Sequence, residues 1–290
     1  MLGEIPTLDK KLLLLYVFII WISISSASIF VLLSSAPGSV CAFWRLLISS
    51  LILLPIYFKN KQRIILTYSV LAGLFLSLHF ILWMESLYMI PVVISTVLVV
   101  SYPFYNLIID YFVFKEKVSI IQVVGLIIGF VSLLAFYHPN IAGNLNRIGL
   151  IYAGLAGFFI SIYFSIGRYL RHYIGINTPS YVVPTYLSAA FFALIYNLIR
   201  SIDLLNYPIK SYIAFISLAV IPMIGGHTLM NYLLGKLKTS IITSIALAEP
   251  VGAGLLAYLL FGQVISINQA FLAVIIMMCV FVIIFAENKR

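Results

Sequence analysis

The chain has 290 residues, 63% of them hydrophobic and only 9% charged, with a formal net charge of +9. A soluble domain carries roughly a quarter charged residues, and no soluble core of this size hides so much apolar surface. The basic balance therefore reads as membrane orientation rather than as affinity for nucleic acid.

Uncharged stretches run from Leu12 to Trp44, Ile64 to Met84, Ser86 to Ile109, Val118 to Asn146, Ile148 to Gly167, Tyr173 to Ile199, Ser211 to Gly235 and beyond Glu249 to Ala286. A helix crosses roughly 30 Å of hydrocarbon with about 20 apolar residues, so these stretches have membrane length. After an N-terminal segment 1–11, turn signals divide them into ten predicted spans: 12–33, 39–58, 64–88, 92–113, 118–137, 148–168, 178–199, 212–234, 239–261 and 267–286. The breaks fall at Ser34-Ser35-Ala36-Pro37-Gly38, Pro91, His138-Pro139-Asn140 and Gly262-Gln263, residue types that end helices or turn chains. The first apolar run is longer than a signal-peptide core and is kept as a span.

Alternating the ten spans from an inside N-terminus places Lys10, Lys11, Lys59, Lys61, Arg63, Lys115, Lys117, Arg168, Arg171, Lys236, Lys238, Lys289 and Arg290 on one side. Only Arg147, Arg200 and Lys210 fall on the other. Cytoplasmic loops retain Lys and Arg, so both termini are expected inside, in a multi-pass protein of the cell membrane.

The chain also resembles itself. At an offset of 147, Pro103 falls on Pro250 and Glu116 on Gln263; at 148, His79 falls on His227 and Trp83 on Asn231. Two copies, 12–137 and 148–286, each hold five spans. An odd number inverts the second copy, so the expected fold class is all-α integral membrane, ten transmembrane helices as two inverted five-helix repeats, with a midplane site where the halves meet.

Four segments carry a wider likeness: Pro37 to Pro55 (PGSVCAFWRLLISSLILLP), His79 to Leu87 (HFILWMESL), Gly226 to Leu234 (GHTLMNYLL) and Leu247 to Gly262 (LAEPVGAGLLAYLLFG). With them the chain resembles the EamA-like transporters of the drug/metabolite transporter superfamily over nearly its whole length. The resemblance implies a ten-helix monomeric core around a central cavity and export of amino acids or other small metabolites. One departure is Gln263, where such transporters commonly carry an acid; Glu116, its counterpart, is retained.

Ionisable groups inside a bilayer cost about 2.5–3.5 kcal/mol each on insertion scales, so the few present are the candidates. Glu249 stands mid-bilayer before Pro250, whose missing N–H is expected to free the Ala246 carbonyl; the carboxyl suits a substrate amino group or a proton. His79 with Trp83 and His227 with Asn231 share helical faces at i+4. Trp21, Tyr102 and Tyr163 lie at cavity depth. Arg45 and Glu85, near the outer end of their spans, are read with Pro103 and Pro250 as gate or structural residues, Arg45 either snorkelling toward the headgroups or pairing with Glu85. Asp110 is explained as interfacial charge balance beside Lys115 and Lys117. Gly125, Gly129, Gly252 and Gly254 fit close helix packing, and Cys41 and Cys279 buried small hydrophobes. No enzyme motif, metal spacing or cofactor loop is present. The expected partners are a small-molecule substrate, the bilayer and protons as a coupling ion, with the protein a monomer or a dimer; a non-transporting sensor or scaffold is the alternative.

Overall fold

In a computed structural model the described residues are 9–62, 66–137, 145–261 and 266–287. The expected turns at 138–140 and 262–263, with Arg63, Lys289 and Arg290, lie outside them. Nine helices among the described residues are long and apolar enough to cross a membrane: span 1 (Lys10–Ser34), span 2 (Gly38–Asn60), span 3 (Leu66–Met89), span 4 (Ile94–Phe112), span 6 (Arg147–Tyr173), span 7 (Thr178–Ile199), span 8 (Ile209–Leu234), span 9 (Thr239–Leu260) and span 10 (Ile267–Ala286). Span 5 is a shorter apolar helix, Ile120–Phe136, still about 25 Å long at 1.5 Å per residue.

Several spans are broken, and local chemistry explains where. In span 1 the run Ser23–Ser28 turns hydroxyls back on the chain: Ser25 Oγ donates to the Trp21 carbonyl and Ser26 Oγ to the Ser23 carbonyl, each at 2.7 Å. Such back-bonding bends helices, and the helix is interrupted at Ser26. Span 4, expected to be continuous, divides into Val92–Val99 and Tyr102–Phe112. Span 9 has a 3-10 turn, Ser244–Ala248, ahead of the helix Glu249–Phe261. Pro103 and Pro250 each stand in the first turn of the second half-helix, where a missing N–H costs nothing. Span 8 widens into a π-helix over Ala219–Thr228, a stretch with Pro222 inside it.

The halves interlock. Span 3 packs along span 6 as span 8 packs along span 1, while spans 2 and 7, 5 and 10, and 4 and 9 pair directly. Exchanging the first five spans for the last five maps this pattern onto itself. Spans 2 and 7 are also tied at both ends. At one, Ser39 Oγ donates to Asn197 Oδ1 at 2.9 Å and Asn197 Nδ2 to the Ser39 carbonyl at 3.1 Å. At the other, the Gln62 N–H donates to Ser180 Oγ at 2.8 Å and Asn177 Nδ2 to the Asn60 carbonyl at 2.7 Å.

Glycines set the closest approaches. A Cβ on Gly252 would overlap Ser25 Oγ and stand 2.7 Å from Ser25 Cβ and 2.9 Å from Trp21 Nε1, so only glycine lets span 9 lie against span 1. Gly125 and Gly129 face Ile283, Leu247 and Cys279. Gly254 has only ordinary contact with Phe136. Cys41 is buried with its thiol against Ser34 Oγ, whereas Cys279 is half-buried. Outward faces are apolar, with Ile120, Ile267 and Phe271 among the most exposed side chains.

Candidate functional site

Residues from seven spans close around a small chamber: Arg45 from span 2, His79 and Trp83 from span 3, Tyr102 from span 4, His227 from span 8 and Glu249 from span 9, with apolar wall from Ile24, Ala27, Val99 and Ile160 of spans 1, 4 and 6. The breaks put them there. Tyr102 opens the second half-helix of span 4 and Glu249 that of span 9, and the two are 147 residues apart. They are therefore equivalent positions of the two repeats, beside Pro103 and Pro250. His79 and His227 form a second such pair, with ring centroids 6.3 Å apart.

The aromatic lining is layered. His79 stacks on Trp83 at 6.1 Å and an interplanar angle of 9°. His227 stacks on Phe164 at 5.6 Å and meets the edge of Phe80 at 5.2 Å. His79 Nδ1 lies 2.9 Å from the Ala156 carbonyl. A carbonyl only accepts, so Nδ1 carries the hydrogen and Nε2 of the neutral ring is left as an acceptor. The Arg45 guanidinium lies over the Phe80 ring with its central carbon 4.1 Å from the centroid.

Arg45 does not snorkel; it is 1% exposed. The first turn of span 2, from Gly38 to Ala42, is itself buried, so a position near the helix end is still deep in the protein. That end is held by Glu85, whose Oε1 accepts the Ser39 N–H at 2.9 Å, a charged cap on exposed helix donors. Glu85 thus serves the span 2 terminus and makes no ion pair with Arg45.

The remaining candidates stand around the chamber without lining it. Asn231 bridges spans, its Nδ2 donating to Tyr163 Oη at 2.6 Å and to the His227 carbonyl at 2.7 Å. Tyr163 is fully buried and accepts there, while the Tyr181 hydroxyl donates to its carbonyl at 3.2 Å. Trp21 Nε1 donates to the Ala248 carbonyl at 2.7 Å, and its ring borders a separate apolar groove between spans 1, 9 and 10. The Ala246 carbonyl is not freed for the chamber, because the 3-10 turn lets it accept the Glu249 N–H.

The sequence reading missed a polar cluster on the face that carries Lys59, Lys117 and Lys238. Arg168 pairs with Glu116 Oε1 at 2.7 Å and donates from Nη1 to the Leu234 carbonyl at 2.7 Å, and the Tyr173 hydroxyl donates to the same Glu116 oxygen at 2.9 Å. Arg171 Nε donates to the Asn231 carbonyl at 3.1 Å. Asp110 is fully buried rather than interfacial: its Oδ2 accepts from Ser240 N–H at 2.7 Å and Ser240 Oγ at 2.6 Å, capping span 9 from span 4. Gln122 Nε2 donates to the same hydroxyl. These bonds join spans 4, 5 and 6 to spans 8 and 9.

The chamber holds about 20 Å³, room for about one water molecule. The walls must part before any metabolite enters. A model of the EamA-like transporter family matches residues 11–137 and again 147–285. A solved crystal structure aligns over 97% of this chain and 99% of its own at a TM-score of 0.76 with 14% identity, a likeness of fold alone. No curated protein sequence matches.

Proposed function

The chain belongs to the EamA-like transporter family, and from that premise we propose that it is a secondary transporter exporting amino acids or similar small metabolites by alternating access around the closed chamber. The observation that carries this reading is the convergence of Arg45, His79, Trp83, Tyr102, His227 and Glu249, contributed by both repeats, inside ten apolar spans. Polar groups in a bilayer interior mark solute or ion pathways. Repeats 12–137 and 148–286 supply equivalent walls, and the face bearing Lys59, Lys117 and Lys238 is cytoplasmic in this reading, with both termini on that side of the cell membrane.

Alternating access requires each face to seal in turn. Opening to the basic face separates spans 4 and 6 from spans 8 and 9, breaking the Arg168–Leu234 and Asp110–Ser240 bonds. Energy comes from the solute gradient or from protons, with Glu249, His79 and His227 as the protonation sites. Asn231, Tyr163 and Trp21 act as supports behind the substrate-binding residues, Glu85 as the cap of span 2, and Pro103 and Pro250 as the hinges of spans 4 and 9. The working unit is one chain.

Counterflow in proteoliposomes with labelled amino acids, sugars and nucleosides, run with and without a pH gradient, tests this. Saturable flux of a panel member that falls on Glu249→Gln and on His227→Ala supports the reading. Flux untouched by both substitutions removes the chamber from the path.

A further inference from the structure

The chamber wall carries buried hydrogen-bond donors that no acceptor meets. Nε, Nη1 and Nη2 of Arg45 are buried without a hydrogen-bond partner, as is Trp83 Nε1. Glu249 is the one carboxylate lining the chamber, and it stays outside ion-pair distance of the guanidinium, the ion pair among the described residues being Arg168–Glu116. Leaving a buried charge unmet costs several kcal/mol, and no hydrogen bond from the chamber wall offsets that cost for Arg45. Phe80, fully buried, covers one face of the guanidinium at 4.1 Å, so what remains available is the edge, where the N–H groups lie in a fork. That fork matches the two oxygens of a carboxylate and is ill suited to a single hydroxyl.

We propose that Arg45 anchors a carboxylate of the transported solute, so that the substrates are small organic acids with a free carboxylate and exclude neutral sugars and nucleosides. The proposal rests on the chamber being the transport site. Trp83, a lining residue whose indole stacks against His79 and whose Nε1 has no partner, supplies a further donor to the carboxylate oxygens. Glu249, which also lines the chamber, then discriminates among acids by accepting from those that also carry an amine.

The test uses the full chain in proteoliposomes, with labelled L-amino acids, their carboxamides, 2-oxo acids, a hexose and a nucleoside as probes, and Arg45→Met and Arg45→Lys as variants checked for intact folding by thermal unfolding. Flux confined to carboxylate-bearing probes, a loss of about 10- to 100-fold in apparent affinity for the matched carboxamide and for Arg45→Met, and partial retention by Arg45→Lys support the proposal. A carboxamide, hexose or nucleoside carried as well as an acid, with folded Arg45→Met unimpaired, overturns the role of Arg45 while leaving transport through the protein standing. Absence of flux for every probe in the unaltered chain overturns both readings.

Discussion

The chamber and the basic-face cluster both place charge in an apolar protein, but they treat it in opposite ways. Arg168 is 3% exposed and meets Glu116 and the Leu234 carbonyl, and Asp110 is met twice by Ser240. Arg45 is as deeply buried, yet its three nitrogens have no hydrogen-bond partner and rest on an aromatic face. A satisfied buried charge holds one arrangement together, whereas an unsatisfied one raises the energy of the arrangement it occupies until a partner arrives. The two regions should therefore respond to mutation with opposite signs.

The largest effect is expected at the cluster. Arg168→Ala leaves the part-buried Glu116 carboxylate, its side chain 10% exposed, without its cation and should cost about 3–5 kcal/mol, while Arg168→Met with Glu116→Met should recover most of that loss. Denaturant unfolding of the purified protein reads both, and equal losses for the single and double variants would deny the cluster its locking role. Next in size is the packing of span 9 on span 1. Gly252→Ala forces a methyl into Ser25 and should cost about 1–3 kcal/mol; Trp21→Phe, which strips the Ala248 carbonyl of its donor, should cost about 1 kcal/mol. The smallest expected change, and the one that sharpens the contrast most, is Arg45→Met. It removes an unmet charge at the expense of one cation–π contact worth about 0.5–2 kcal/mol, so unfolding should move by little or shift upward while flux collapses. A loss of stability as large as that of Arg168→Ala would erase the distinction between the two regions.

Much of the fold is readable from residue order because the bilayer imposes it. Span length and the all-helical form of the spans follow from hydrocarbon thickness and from the cost of unpaired backbone. The spacing of 147 that aligns Pro103 with Pro250 also aligns Tyr102 with Glu249, and that neighbouring coincidence was a usable signal for a chamber pair. Arg45 and Asp110 were not readable in the same way. Each was placed by distance from a span end, a rule that assumes helix ends reach the headgroups, and both sit where a buried end is capped by a carboxylate from another span. Trp21 and Tyr163 have the depth expected of chamber residues, but depth does not give the direction a ring points, and their polar atoms are taken by Ala248 and Asn231. The cluster around Arg168 stayed hidden because loop basic residues were counted for orientation, which says nothing of their partners.

The interlocking of the repeats bears on how the protein is made. Partners of the early spans are synthesised late: Ala156 for His79, Asn197 for Ser39 and Ser240 for Asp110, at sequence separations of 77, 158 and 130 residues. A nascent chain with only its first five spans inserted therefore carries three polar side chains facing lipid or the translocation machinery. The second repeat completes the first as it emerges, and a ribosome-bound half-length product should be the species that insertion factors must shelter.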